Sequence, residues 1–322
     1  MLEETRRNPS LTGRTSPISS ICLAHSKIWK RSNWFQRDRF STNSLREYVE
    51  IDHETILDST DALELSAVPA SLAIIGGGVI GLEMGSICSR LGAEVTVIEY
   101  LDEILPGMDE DVRREMNKTL FGQGLRLRTG TEVLSVKPAA KSGVQLSVRA
   151  RKDGKDETIK AENVLVAVGR VPNTAGLGLD KAGVEINARG QVEVDHGFRT
   201  SVPHIYAIGD VTPALMLAHR AEDEGIAVAE LIAGEPGIVN HDLVPSVVYT
   251  NPEVAGAGLT EADARARGKT RVGKFPFVGN SSAKVNHEEG GFVKIIADAK
   301  IDEVLGAWVV SSMAGTMNAQ VV

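Results

Sequence analysis

Beyond residue 70 the chain alternates short apolar runs with stretches of helical spacing. Leu72 to Ile75 reads as a buried strand, Val79 to Leu91 as a helix, and Val95 to Ile98 as a second strand. Glu110 to Phe121 has helical character and stops at Gly122, ahead of a strand at Leu125 to Leu127. Strand and helix in alternation predict a wound α/β unit with a parallel sheet. The pattern then changes. Thr131 to Val136, Val144 to Ala150 and Glu157 to Lys160 alternate polar and apolar positions as a meander does, and Val164 to Val168 closes it as a buried strand. Ile205 to Ile208 reads as a short apolar strand, and Ala218, Ala221, Gly225 and Ala229 form a small-residue face suited to close helix packing. From His241 onward the chain reads as strands at Val247 to Tyr249, Arg271 to Phe277, Gly291 to Ile296 and Val304 to Val310. One short helix lies among them at Thr260 to Gly268, with Thr260 as N-cap and Asp263 three residues on.

The first 50 residues do not share this patterning. Between Thr5 and Arg37 lie seven basic residues and no acid, among many serines and threonines, and Gly13 is the sole glycine before Gly76. The whole chain carries a net −8, so the basic start marks a boundary near residue 50. An Arg-rich, Ser-rich, acid-poor leader fits an organellar transit peptide, although Glu3 and Glu4 at the very start argue against it; the alternatives are a disordered tail or a non-homologous extension. Trp29 and Trp34 offer at most a local contact. The 322 residues suffice for more than one domain, and no apolar run is long enough to span a bilayer. Net negative charge disfavours nucleic acid and anionic lipid as partners, leaving small molecules and proteins. Cys22 and Cys88, 66 residues apart, exclude a disulfide framework, a four-cysteine zinc site and a closely spaced dithiol.

The chemistry concentrates where the first strand meets the first helix. Gly76, Gly77, Gly78, Val79, Ile80 and Gly81 follow the strand directly, a G-x-G-x-x-G turn in its proper setting. Gly76 permits the tight turn, Gly78 lets the backbone approach a pyrophosphate, and Gly81 with Gly85 lets the helix lie close on the sheet. The helix N-terminus then stabilises the anion through its N–H groups and dipole. Glu99 ends the next strand 18 residues after Gly81, where an acid accepts hydrogen bonds from the adenosine ribose. Its charge repels a 2′-phosphate, and Tyr100 and Leu101 supply no compensating arginine, which favours NAD over NADP. Glu83, one turn into the helix, either faces solvent or reaches a nicotinamide. Cys88 reads as a small packed hydrophobe. Gly169, leaving a parallel strand at its carboxyl end, is expected beside the cofactor. His287, next to Glu288 and Glu289, reads as a solvated charged turn, and no metal site is expected.

Five segments in order resemble the class I pyridine nucleotide-disulfide oxidoreductases, and among them the dihydrolipoyl dehydrogenases. They are Gly76 to Glu83, Val168 to Thr174, Ile205 to Asp210, Met216 to His219 with Glu224 and Gly225, and Pro245 to Glu253. The likeness runs from about Ile51 to the end. It implies an α/β fold: a Rossmann-type NAD-binding domain (71–174) after a linker (51–70), a partial flavin-domain return segment (175–240) and an α+β dimerisation domain (241–322). It further implies that Asp210 holds the ribityl chain of FAD, that Met216, Leu217 and Ala218 lie beside the isoalloxazine at a helix N-terminus, and that Glu83 sits near the nicotinamide. The expected partners are the nucleotide cofactors and a second copy or an intact subunit, in the cytoplasm or the mitochondrial matrix.

Three departures bear on catalysis. No second Gly-rich turn precedes Gly76 to take the flavin pyrophosphate, so weak or absent FAD retention is expected. The family's cysteine pair is missing, and so is its C-terminal His and Glu; His219 and Asn251, the latter where histidine is usual, do not replace them. No catalytic residue is therefore assigned. The expectation is a fragment of a dihydrolipoyl dehydrogenase-type oxidoreductase. The alternatives are a non-catalytic NAD-binding or dimerisation module, or a transhydrogenase, mercuric reductase or glutathione reductase relative.

Overall fold

The computed structural model of the chain describes residues 49–139 and 142–321. The transit-peptide reading, Cys22, Trp29 and Trp34 lie outside the described residues. Three sheets make up the fold. The first is parallel, with β1 (Ile56–Leu57), β2 (Ser71–Ile75), β3 (Glu94–Ile98), β4 (Arg126–Arg128) and β8 (Asn163–Val166) in the order β1-β8-β2-β3-β4. Helix α1 (Ser59–Leu63) precedes β2, α2 (Val79–Arg90) crosses from β2 to β3, and α3 (Glu110–Gly122) leads to β4. A three-stranded antiparallel meander follows, β5 (Thr131–Pro138), β6 (Val144–Ala150) and β7 (Asp156–Ala161).

Strand β2 is apolar from Leu72 to Ile75 because both of its faces are covered there. Leu72 and Ile74 point into a cluster with Leu82, Met84, Val112, Met116 and Leu120 of the two helices. Ala73 and Ile75 point the other way, against Val136, Val144, Leu146 and Val148 of the meander. β1 adds an edge strand that the sequence did not signal: Ile56 pairs with Val164 within the stretch read as a linker.

The C-terminal part is a five-stranded antiparallel sheet, β11-β12-β13-β10-β9, formed by β9 (Ser246–Val248), β10 (Glu253–Gly258), β11 (Thr270–Pro276), β12 (Phe292–Asp298) and β13 (Val304–Ser311). Between these lie α6 (Glu261–Arg267), α7 (Ser281–Val285) and, after β13, α8 (Ala314–Asn318). Thr260 caps α6 by accepting from the Asp263 N–H, as its spacing predicts. Val248, Val254, Phe292, Ile296, Trp308 and Val310 belong to the same cluster as Leu72 and Met116, so one continuous core runs through both sheets.

Residues 175–240 behave differently. They hold α4 (Leu179–Ala182) and α5 (Ala218–Ala233) but supply no residue to the hydrophobic clusters of the described residues. Ile205 to Ile208 is not a strand: its sole ladder contact is the isolated bridge between Arg199 and Tyr206. An apolar run becomes a strand only where neighbours offer a hydrogen-bonding edge, and here no sheet lies alongside. The small-residue face of α5 is half used. Gly225 packs against Ile208 and Ala221 against Gly209, whereas Ala218 and Ala229 are exposed.

Candidate functional site

Gly76 leaves β2 with φ 114°, and a Cβ there would lie 2.2 Å from the Ala167 carbonyl oxygen at the end of β8. Only glycine fits. A Cβ on Gly81 would lie 2.2 Å from the Gly76 oxygen, and one on Gly85 3.0 Å from Ile74, so both glycines let α2 rest directly on the turn and sheet. Around Gly78, the N-cap of α2, a Cβ would meet no heavy atom within 4 Å. Val79 and Ile80 then begin the helix, and Val79 is 38% exposed beside this space. An anion there would meet the N-terminal N–H groups of a 12-residue helix.

Glu99 stands at the carboxyl end of β3, beside the turn. Its Oε2 accepts the Gly77 N–H at 2.6 Å and its Oε1 the Leu101 N–H at 2.7 Å. A carboxylate has about four lone-pair sites, so each oxygen keeps capacity for a sugar hydroxyl. Gly169, with φ 125°, follows β8 on the other side of Gly76. The carboxyl ends of β2, β3 and β8 thus bring together Gly76 to Gly81, Glu99 and Gly169 in one crevice, where open α/β sheets bind ligands.

Of its two readings, Glu83 follows neither simply. Its carboxylate accepts the Tyr249 N–H at 2.7 Å, which links α2 to the C-terminal sheet just past β9. Burial pushes the Glu83 carboxyl up, and the Tyr249 N–H offsets only part of this. The Tyr249 phenol is raised as well, by burial and by the nearby Glu253 and Glu83 charges.

The residues assigned to the flavin form a second cluster. Asp210 lies in a short 3-10 turn, and its carboxylate is 3.0 Å from Arg170, whose other nitrogen donates to the Met216 carbonyl. Leu217 is the N-cap of α5 and Ala218 its first residue. Beneath them Arg220 and Glu224, 3% and 2% exposed, form a buried pair at 2.7 Å. Glu224 also accepts the Gly209 N–H and faces His241 Nε2 at 2.8 Å, while Arg220 reaches Thr212 and the Gly209 and Leu215 carbonyls. Burial raises the Glu224 carboxyl, but these donors outweigh it and hold the group below its ordinary range. The two ends of a flavin meet different conditions here: Asp210 pairs with Arg170 through Oδ2 and keeps lone pairs for a ribityl hydroxyl, whereas residues 49–75 contain no glycine with which to form a second pyrophosphate turn.

Sequence reasoning passed over one cluster. Lys294 of β12 is 2% exposed and lies 2.7 Å from Asp109, 2.9 Å from Asp111 and 2.7 Å from Glu261. Asp109 and Asp111 start α3 and Glu261 starts α6, so this group of four joins the parallel sheet to the C-terminal one. No local pattern announces contacts between residues this far apart in sequence. His53, Asp58 and Asp61 present three ligand-type atoms within 4.8 Å. Helix capping accounts for the two acids, since Asp58 accepts the Thr60 and Asp61 N–H groups and Asp61 accepts the Asp58 N–H, and His53 Nδ1 lies 2.8 Å from the same Asp61 oxygen. Cys88 is buried in α2, and His219 Nε2 faces the Pro245 carbonyl.

Fold and crevice define a class: a Rossmann-type α/β protein with a glycine turn at the head of its first crossover helix, continued by an antiparallel C-terminal sheet. The chain belongs to the pyridine nucleotide-disulphide oxidoreductase family, whose sequence profile matches residues 46–225, while the profile of that family's dimerisation domain matches 244–322. It is 49% identical over 274 residues to a dihydrolipoamide dehydrogenase of Chaetomium thermophilum, covering 84% of this chain and 54% of that one. Dihydrolipoyl dehydrogenase 3 of Pseudomonas aeruginosa is 49% identical over 259 residues, covering 80% and 55%. Among solved structures, LpdA from Mycobacterium tuberculosis superposes with a TM-score of 0.77 at 30% identity, covering 84% of this chain and 58% of that one. The chain therefore spans about half the length of the relatives it matches.

Proposed function

We propose that this chain is the nicotinamide-nucleotide and C-terminal portion of a dihydrolipoyl dehydrogenase-type oxidoreductase, and that its own activity is to bind NAD(H) in the crevice at Gly76 to Gly81. One observation carries the reading: open space above Gly78 at the head of α2, with Glu99 held beside it by the Gly77 and Leu101 N–H groups. In this reading the diphosphate lies against the helix N-terminus and Glu99 accepts the adenosine hydroxyls. Glu83 and Gly169 border the nicotinamide half. NAD supplies the hydride acceptor when bound. In the intact enzyme, electrons would pass from dihydrolipoamide through a cysteine pair and FAD to NAD. With Cys22 and Cys88 as the only cysteines, this chain does not carry that relay alone.

The cysteine count favours the second reading for the isolated chain, a non-catalytic nucleotide-binding module. Residues 241–322 would then associate with a second copy or with an intact subunit. Among the described residues no helix is long and apolar enough to cross a membrane, and the relatives include both mitochondrial and bacterial proteins. That likeness supports a cytoplasmic or mitochondrial-matrix location as part of this reading.

Titration with NADH, followed by nucleotide fluorescence and by the melting temperature, tests the proposal. Saturable binding is expected, and Glu99→Ala should weaken it about tenfold by removing charge-assisted hydrogen bonds. NADPH binding more tightly than NADH would contradict the role given to Glu99. Turnover of dihydrolipoamide by the purified chain would contradict the division of labour.

A further inference from the structure

The connection from Glu99 to Asp109 is packed more tightly than an ordinary surface loop. Ile104 and Leu105 are each 1% exposed, and Ile104 closes on Gly77, whose Cβ position lies 3.2 Å from the isoleucine Cγ2. The backbone of Leu105 is left-handed, with φ 51°. For a residue with a full side chain that region is disfavoured by contact between Cβ and the carbonyl oxygen. Pro106 follows and disfavours the right-handed helical alternative as well.

The unusual backbone has a specific consequence. It aims the Leu105 N–H at the Gly77 carbonyl oxygen, 2.9 Å away. From the other direction Glu99 Oε2 holds the Gly77 N–H. Both peptide planes flanking Gly77 are thereby fixed from outside the turn. In a trans peptide C=O and N–H point in opposite directions. A Gly77 carbonyl held by Leu105 therefore turns the Gly78 N–H away from the buried loop, and around Gly78 the space is open.

We propose that Leu105 is a positioning residue for the dinucleotide diphosphate: its left-handed backbone presents the amide that locks the Gly77–Gly78 peptide, and so sets the direction of the anion-facing N–H at the head of α2. The inference rests on the reading of this turn as a dinucleotide site. If Leu105 only filled the core, its substitution would affect affinity in proportion to stability. If it sets the peptide, affinity and stability separate.

The full chain and two variants distinguish these cases, with ADP-ribose as the probe measured by calorimetry and melting temperature measured in parallel. Leu105→Ile keeps the buried volume, but a β-branched residue opposes positive φ. Leu105→Gly adopts positive φ freely but leaves a hole in the core. Leu105→Gly should melt lowest yet bind ADP-ribose within about threefold of the native chain, while Leu105→Ile should bind about tenfold more weakly. Affinity that instead follows melting temperature, with Leu105→Gly the weaker binder, overturns the inference. In the native chain, without substitution, saturating ADP-ribose should slow hydrogen exchange of the Leu105 amide at least about tenfold. ADP-ribose binding with no such slowing overturns it too. A native chain that does not bind ADP-ribose overturns the dinucleotide reading itself.

Discussion

Lys294→Met removes one cation and tests what joins the two sheets. The ammonium is 2% exposed, and each of its three carboxylate partners comes from the start of a helix. Burial pulls the Lys294 ammonium toward losing its proton, but hydrogen bonds to Asp109, Asp111 and Glu261 outweigh this and hold it above the usual lysine range. Breaking a buried pair from one side costs about 3–5 kcal/mol, because the abandoned charge stays buried. Two features place this case at the low end. Asp111 keeps Lys274 at 3.2 Å, and Glu261 keeps Arg265 at 2.6 Å. Asp109 is the exception: it is 1% exposed and faces Lys294 as its cation, though the Asp111 and Glu261 N–H groups still donate to it. A loss of about 3 kcal/mol follows, equivalent to a fall of about 10 °C in melting temperature for a domain pair of this size.

The pH dependence has a definite sign. Asp111 feels burial upward but the Lys294 and Lys274 hydrogen bonds downward more strongly, and Glu261 is lowered chiefly by Lys294 and then Arg265. Carboxyls with depressed folded pKa values stabilise above their unfolded values of about 4 and lose that contribution as pH falls through the folded ones. The raised Lys294 contributes fully below its unfolded value of about 10.4 and loses its contribution only at higher pH. The gap between native and Lys294→Met should therefore be full at pH 7 and close below about pH 4 in urea denaturation. A variant melting within about 2 °C of native at pH 7 would refute the cluster as a joint between sheets.

Gly81→Ala should abolish nucleotide binding and destabilise the fold by more than about 2 kcal/mol, since its Cβ would lie 2.2 Å from the Gly76 oxygen, and backbone cannot yield as a side chain does; native-like melting would show that α2 can shift. Glu83→Gln tests the raised carboxyl: an acid whose folded pKa exceeds its unfolded value weakens the fold above that pKa and not below about pH 4, so the variant should match native in acid and gain on it toward pH 8. Equal pH slopes in the two proteins would contradict the assignment. Amides of residues 175–240 should exchange before those of β2 or β13, because that segment lends nothing to the hydrophobic clusters; uniform protection by exchange mass spectrometry would refute this.

What was legible in the sequence is what short-range rules govern. The turn from Gly76 to Gly81 needs only a strand, three glycines and a helix, and these are contiguous. β6 spans Val144–Ala150, the same residues its alternation predicts, because one face meets the core and the other does not. β10 escaped notice for the opposite reason. Its sequence, Glu253 to Gly258, is rich in glycine and alanine, which argues against a strand in isolation. Gly256 is there because Trp308 stands opposite on β13, with its ring 2.2 Å from where a Cβ would be. Only the register of a strand 52 residues further along explains the residue. Arg170 with Asp210 and Lys294 with its carboxylates were hidden in the same way, since each needs two elements already placed.

The division between core and return segment explains how a chain of about half its relatives' length can keep the turn at Gly76 in place. Everything that shapes the turn at Gly76 comes from residues 71–169, and the face of the parallel sheet that α2 and α3 cover continues into β9, β10, β12 and β13 without passing through residues 175–240. The return segment is held instead by polar links, Arg170 to Asp210, His219 to the Pro245 carbonyl and His241 to Glu224, of which Asp210 is a group that the family resemblance assigns to a flavin. The turn at Gly76 and the Asp210 cluster are thus physically separable here: the first depends on backbone fixed by glycines, Leu105 and Glu99, and the second on side chains paired across the return segment.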